Sequence, residues 1–228
     1  MAKGGKLEER KDVGRALSSE EQTALLRGLE HRSSPHIKTL LPVLLLTGMR
    51  AGEGLALAWG RVDFTAKALT VGRAKTERGR GRVIPTNDDL MPLLVAHRAW
   101  FVEHFGEPKA DHYLFPFGKP VPSDPTRHAT DVTWGWDQLR AETGVRCRLH
   151  DLRHTFATRL AENGVSESTM LALMGHMSRA MLERYSHIRI AAKRAAVAGV
   201  RLHEKTVAPK PETKEPAMAA TESGRQSL

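Results

Sequence analysis

The stretch RVDFTAKALTVGRAKTERGRGRVIPT, residues 61–86, decides the fold class of this 228-residue chain. Polar and apolar residues alternate along it, β-branched residues are frequent, and Gly79 and Gly81 mark a turn. This pattern predicts three short strands over about 61–64, 68–74 and 81–85. Because the flanking sequence has helical patterns, we predict an α+β fold that is mostly helical and has a small three-stranded antiparallel sheet.

Helix signals lie on both sides of this stretch. Ser18 and Glu21 have the spacing of a capping box, so a helix is predicted to start there. Gly54 lies inside a predicted short helix, which it is expected to loosen. The stretch 106–125 contains several prolines and is predicted to be a long loop. The predicted helices that follow the first one cover about 36–46, 51–58, 87–105, 127–142, 150–163, 166–174, 178–185 and 190–202.

The two ends of the chain differ in composition from its middle. Residues 1–16 are basic and poor in apolar residues, which predicts a loose N-terminal arm. Residues 204–228 contain three prolines and almost no large apolar residues, which predicts a disordered tail. One domain over residues 17–203 is therefore expected, with no internal repeat.

The charge of the chain favours a polyanionic partner, with a generic basic surface as the alternative. The net charge is +9 and the isoelectric point is near 10. Arginines are concentrated in two places, and those predicted to contact the polyanion are Arg73, Arg78, Arg80, Arg82 and Arg148.

Features that would place the chain outside a reducing cytoplasm are missing from the sequence. The single cysteine, Cys147, cannot form an internal disulfide bond. The apolar run LLPVLLL is too short to cross a bilayer, and the N-terminus does not resemble a signal peptide. A cytoplasmic protein without a membrane partner is expected.

Four segments carry side chains suited to phosphoryl transfer. They are TGMRAGE (47–53), RAKTERGRGRVIP (73–85), LHDLRHTFATRL (149–160) and LMGHMSRAMLERYSHI (173–188). Guanidinium groups match the charge that develops on the non-bridging phosphate oxygens. A phenol has a pKa of about 10, so it needs cations nearby to become a nucleophile at neutral pH. Since these segments have no cluster of carboxylates, side-chain cations would act in place of a metal ion.

In order and spacing, the four segments resemble the catalytic domain of the tyrosine recombinases, the phage-integrase-like family, over about residues 17–190. The resemblance implies strand cleavage and rejoining through a 3′-phosphotyrosyl intermediate, without a cofactor or a metal. It also implies double-stranded DNA as the partner and a homo-tetramer on that DNA. The roles it implies are phosphate clamps (Arg50, Arg153), histidines of the site (His150, His176), a general acid (Lys75), a nucleophile (Tyr185) and a support for Arg50 (Glu53).

Each of these residues also has an ordinary interpretation. Arg50 could cap a helix, Lys75 could be a solvated charge on a hairpin, and Tyr185 could be a core residue. His150 and His154 have a spacing that is also used for zinc, but the sequence lacks the glutamate of a zinc-protease motif. His154 itself is predicted to pack within its helix.

The function also has alternatives. Members of the family usually carry a helical DNA-binding domain before the catalytic one, whereas about sixteen residues precede it here. We therefore expect that a separate DNA-binding or accessory protein assists. The alternatives are a non-catalytic or regulatory truncated integrase that binds DNA, and a type IB topoisomerase-like enzyme.

Overall fold

The computed structural model describes residues 14–32, 34–72, 81–175 and 177, and single positions between 183 and 198. The predicted helices over about 178–185 and 190–202 fall largely outside the described residues, as do residues 1–13 and the tail. The helices are α1 (Ser19–Glu30), α2 (Pro35–Thr47), α3 (Ala51–Leu55), α4 (Leu90–Phe105), α5 (Thr133–Thr143), α6 (Asp151–Glu162) and α7 (Glu167–Met174). The strands are β1 (Val62–Asp63), β2 (Ala68–Thr70), β3 (Val83–Pro85), β4 (Pro116–Phe117) and β5 (Asp124–His128).

The predicted three-stranded sheet is present and antiparallel, in the order β1-β2-β3. Val62 pairs with Leu69, and Leu69 pairs with Ile84. Leu69 and Ile84 are buried, so one face of the sheet belongs to the core. The mostly helical α+β fold is thus confirmed, although β2 ends at Thr70 and residues 73–80 lie outside the described part of the chain.

Local signals placed the first two helices correctly. The N–H of Glu21 donates to Ser18 Oγ at 3.2 Å, and the N–H of Ser18 donates to Glu21 Oε2 at 3.0 Å, which is the predicted capping box. Gly48, at φ 64°, ends α2 in the left-handed conformation that glycine adopts most easily. This turn directs the chain from α2 into the segment that carries Arg50.

The prediction for residues 106–142 was wrong in two respects. The predicted loop contains β4, which pairs with β5 to form a second, two-stranded sheet. Helix α5 starts at Thr133 rather than near 127, because residues 124–128 form that strand and Asp131 Oδ1 accepts from the N–H of Thr133 at 2.7 Å. The pairing of β5 with β4 therefore overrides the helical pattern.

Helix α2 runs through the main hydrophobic core. Leu40, Val43 and Leu44 are each at most 1% exposed, and α2 packs against α3, α4 and α6. A smaller cluster, here called the α6–α7 cluster, consists of Ala157, Ala161, Met170, Met174, Met177 and Tyr185. Helix α6 joins the two, since it packs on α2 and also contributes to the α6–α7 cluster.

Gly54 has a packing role that its helix propensity does not indicate. A Cβ atom at this position would lie 2.8 Å from Leu44 Cδ2 and 3.1 Å from Leu40 Cδ1. The glycine therefore lets α3 approach α2 closely, which fixes the position of the residues at the start of α3. Instead of loosening the short helix, Gly54 makes its packing possible.

Candidate active site

Arg50 stands at the N-terminus of α3, directly after the turn at Gly48 and Met49. Its Nη1 lies 3.0 Å from Glu53 Oε1, and its backbone N–H donates to Glu53 Oε2 at 2.9 Å. The Arg50 side chain keeps 25% of its surface exposed, whereas the Glu53 side chain keeps 4%. The buried Glu53 carboxylate thus orients the partly exposed guanidinium of Arg50.

Arg82, the residue directly before β3, binds the same carboxylate. Its Nη2 lies 2.6 Å from Glu53 Oε2, and its Nε donates to the carbonyl of Leu173 at 3.0 Å. Burial alone would raise the pKa of Glu53, but the hydrogen bonds from Arg82 and Arg50 outweigh it and lower that pKa. The carboxylate therefore stays ionised although it is buried.

This environment does not fit the prediction that Arg82 contacts DNA. Its side chain is only 5% exposed and forms a buried ion pair. Its guanidinium lies against the Glu53 carboxylate and the carbonyl of Leu173 rather than at the exposed surface. The geometry makes Arg82 a positioning residue that links β3 to α3 and α7.

Among the predicted site residues that the structure describes, Arg153 is the most deeply buried, at 2% exposure. Its Nη1 donates to the carbonyl of Gly48, and its Nη2 donates to the carbonyl of Met174 at 2.8 Å. Burial, followed by the charge of Arg50, lowers its pKa to about 10, so it remains cationic at neutral pH. Arg153 thus holds together the turn before α3 and the end of α7.

His150 precedes α6, three residues before Arg153. His150 is exposed, but the atoms around its ring displace enough water to lower its pKa. The positive charges of Arg153, Arg50 and Arg148 lower that pKa further. The imidazole is thereby held neutral over a wider pH range than an isolated histidine. Three arginines, Arg50, Arg148 and Arg153, therefore lie close enough to His150 for their charges to act on it.

Arg148, predicted to contact DNA, is partly exposed at the approach to α6. Its Nη2 lies 2.9 Å from Asp151 Oδ1, and its backbone N–H donates to Asp151 Oδ2 at 2.8 Å. Its side chain is 40% exposed while that of Asp151 is 5% exposed. Asp151 is the first residue of α6 and was not singled out by the sequence, and its carboxylate fixes the backbone and the side chain of Arg148.

Tyr185 is buried at 3% exposure within the α6–α7 cluster. Its hydroxyl lies 3.0 Å from His154 Nδ1. The tyrosine is also close enough to Arg153 to raise the pKa of that guanidinium, against the larger effect of burial. The structure therefore brings the phenol to α6, the helix that follows His150 and carries Arg153 and His154.

His154 is the residue that sequence reasoning missed. It was predicted to pack within its helix, and it is indeed buried, but it also contacts the hydroxyl of Tyr185. The available signal in the sequence was the spacing of His154 from His150, which places both side chains near one face of a helix but is also the spacing of a zinc site. In the described part of the chain, no group of three or more His, Cys, Asp or Glu side chains is arranged to hold a metal ion.

Five predicted residues lie outside the described residues: Lys75, His176, Arg73, Arg78 and Arg80. The structure thus brings together Arg50, Glu53, His150, Arg153 and Tyr185, and adds Arg82 and His154 to them. Among the described helices, none is long and apolar enough to cross a lipid bilayer.

Comparison with known proteins identifies the family. Residues 15–191 match the model of the phage integrase family, so the chain belongs to that family, as predicted. A tyrosine recombinase XerC from Pediococcus pentosaceus is 28% identical over 156 residues, which are 65% of this chain and 48% of that protein. The chain therefore spans about half the length of that relative.

Solved structures show the same fold. The catalytic domain of bacteriophage HP1 integrase matches with a TM-score of 0.57 at 19% identity, covering 83% of this chain and 97% of that one. The Tn1549 transposon integrase, solved in complex with a circular intermediate DNA, matches with a TM-score of 0.62 at 19% identity, covering 84% of this chain and 68% of that one. The fold is that of a tyrosine recombinase catalytic domain.

Proposed function

We propose that this chain is a site-specific DNA recombinase, or the catalytic part of one, that cleaves and rejoins strands through a 3′-phosphotyrosyl intermediate on Tyr185. One observation carries the proposal: the Tyr185 hydroxyl lies against α6, the helix that follows His150 and carries Arg153. Family membership supports this assignment. The fold relative solved with a circular intermediate DNA supports DNA as the substrate.

The chemistry follows from these groups. The Tyr185 oxygen attacks the phosphorus atom and loses its proton, a new phosphorus–oxygen bond forms, and the bond to the 5′-oxygen breaks. Arg50 and Arg153 stabilise the charge on the non-bridging oxygens, with His150 beside them. By the resemblance, His176 assists them and Lys75 protonates the leaving 5′-oxygen. Rejoining is the reverse attack by a 5′-hydroxyl, which needs no ATP because the phosphotyrosyl bond retains the energy of the phosphodiester.

The assembly belongs to the same proposal. We place the recombinase on double-stranded DNA as a homo-tetramer, in the cytoplasm and on the nucleoid, with a separate DNA-binding or accessory protein assisting. The exposed part of Arg148 and the arginines at positions 73, 78 and 80 are proposed to contact the phosphate backbone. Such contacts release counterions, so binding should weaken steeply as the salt concentration rises.

A covalent-capture experiment tests the proposal. The protein is incubated with nicked genomic DNA fragments from which the 5′-hydroxyl piece diffuses away, so that religation is prevented. The attached DNA is then sequenced and the modified peptide is mapped. The adduct should lie on Tyr185, and Tyr185→Phe should fold and bind DNA but form none.

The sequence provides a matched control, because the chain has two tyrosines. Tyr113 contacts His128 at the second sheet, and Tyr113→Phe should form the adduct normally. An adduct on Tyr113, or an undiminished adduct in Tyr185→Phe, would overturn the proposal. DNA binding without any adduct would favour the non-catalytic alternative, and relaxation of supercoils by a monomer without site-specific joining would favour the topoisomerase alternative.

A further inference from the structure

The side of His154 that faces away from Tyr185 is covered by the N-terminal segment. A Cβ atom on Gly14 would lie 2.2 Å from His154 Nε2 and 2.3 Å from its Cδ2, so the backbone at Gly14 packs directly on the imidazole edge. A Cβ contact below 3 Å is essentially absent from real proteins, which makes glycine the residue that fits here. The imidazole is thus held between Gly14 and the hydroxyl of Tyr185.

Contacts with α1, with α6 and with the residues before α6 fix this segment, residues 14–17, in place. Arg15 Nη2 donates to the carbonyl of Arg146 at 2.6 Å, and the same side chain forms an ion pair with Glu21 at 2.6 Å. Leu17 is buried, and its N–H donates to Thr155 Oγ1 at 3.0 Å. Residues 14–16, predicted to belong to a loose arm, therefore pack against the site itself.

We infer that His154 is a positioning residue for Tyr185, and that Gly14 seats the imidazole so that its Nδ1 accepts a hydrogen bond from the phenol. In this arrangement Nε2 carries the imidazole proton and faces the segment 14–17. The hydrogen bond orients the hydroxyl beside Arg153. The segment 14–17 controls that orientation through the contact between Gly14 and the imidazole of His154. The inference rests on the proposed function, in which Tyr185 is the nucleophile.

Two substitutions of nearly equal shape separate the hydrogen bond from simple packing. In His154→Asn, the amide oxygen stands close to the position of Nδ1 and still accepts from the phenol. In His154→Leu, a similar volume remains but no acceptor does. Loss of the buried bond should slow single-turnover adduct formation by about tenfold in His154→Leu. His154→Asn should stay within about threefold of wild type, and both should bind DNA equally.

A double-mutant cycle tests the contact with Gly14. Gly14→Ala should slow adduct formation in the wild-type background, because its Cβ forces the imidazole to move; the nearby end of Arg148 is flexible and can yield. In a His154→Ala background the same substitution meets no ring, so it should slow adduct formation by less than about twofold. Independent, additive losses would overturn the role of Gly14.

A spectroscopic measurement without DNA keeps the inference separate from the proposed function. In Tyr113→Phe protein labelled with carbon-13 at tyrosine Cζ, the single remaining signal reports on Tyr185. That signal should shift as His154 titrates, since a protonated Nδ1 can no longer accept. Among the described residues, the other groups near the pair include His150, whose ring centroid is 5.3 Å from that of His154, and the arginines Arg15, Arg148 and Arg153, whose side chains stay protonated in this range.

The assignment of the inflection is made by substitution. His150→Asn should retain the inflection and His154→Asn should remove it. A signal that is unchanged across the pH range, or equal adduct rates in the Asn and Leu variants, would overturn the inference. A wild-type protein that shows the inflection but forms no adduct on Tyr185 would instead overturn the proposed function.

Discussion

Two regions of this molecule that bury titratable side chains differ in the charge that those side chains carry. Near the site, Glu53 and Arg82 are both buried and both charged, because each lies within 2.6 Å of the other. Between α2 and α4, His36 and His97 are buried among aromatic rings, and burial lowers the pKa of each to about 4. Burial alone neutralises a group, whereas burial beside an opposite charge preserves it.

The histidine pair is built for the neutral form. His97 Nε2 lies 2.6 Å from the carbonyl of Leu114 and its Nδ1 lies 3.1 Å from Thr39 Oγ1, which matches one neutral tautomer with both nitrogens bonded. His36 packs edge-on against Trp100 and Phe115. This region stabilises the core, while the charged region holds arginines at the site.

The largest expected effect comes from breaking the buried ion pair. Glu53→Ala leaves Arg82 buried without its carboxylate, which should lower the free energy of unfolding by about 3–5 kcal/mol. Denaturant titration measures this loss. The control is the exposed pair of Arg98 and Glu107, where Glu107→Ala should cost less than about 1 kcal/mol. Equal losses in the two variants would mean that burial does not set the strength of the Glu53 pair.

The next effect concerns Arg50 and Arg153, the two arginines proposed to bind the phosphate. Arg50→Ala and Arg153→Ala should each remove about 2–4 kcal/mol of transition-state stabilisation, comparable with the loss of one oxyanion donor. Single-turnover cleavage of the captured DNA measures this effect, and circular dichroism checks the fold. DNA affinity should change much less. If binding and rate fell by the same factor, both residues would be ordinary phosphate contacts.

How far the sequence predicts this site depends on how local each contact is. The capping box at Ser18 and the turn at Gly48 were predictable, because the residues that form them are neighbours in the chain. Arg82 was misassigned because its partner Glu53 is 29 residues away, and its neighbours in sequence form a basic run. The bond between His154 and Tyr185 spans 31 residues, so a helical spacing could not indicate it. The motif identifies the chemistry, and tertiary packing decides which charges are exposed.

Acid should affect the histidine pair before it affects the charged region. The folded pKa values near 4 lie below the ordinary value of 6.5, so the unfolded chain takes up protons first as the pH falls. Stability from these residues is complete above about pH 6.5 and is lost progressively down to about pH 4. Acidification from about pH 7 to about pH 5 should lower the free energy of unfolding by about 2 kcal/mol for each of the two histidines.

Denaturant titrations at the two pH values measure this dependence. The pKa of Glu53 is lowered, so its ion pair should hold over the same range. A variant with His36→Phe and His97→Gln lacks the two histidines whose pKa values burial lowers, so it should lose less stability on acidification than the wild type does. The same loss in both proteins would show that other histidines cause it.

The smallest effect tests whether the charged region depends on how closely α3 approaches α2. Gly54→Ala places a methyl group 2.8 Å from Leu44, and this overpacking should cost about 1–3 kcal/mol. Gly52 lies on the same helix, but no atom lies within 4 Å of its Cβ position, so Gly52→Ala should be neutral or stabilise by up to about 1 kcal/mol. Since Arg50 and Glu53 belong to the same short segment, the shift in Gly54→Ala should also slow adduct formation, while Gly52→Ala should not. If both substitutions stabilised the protein equally, α3 would have room to move away from α2, and close packing could not be what positions Arg50.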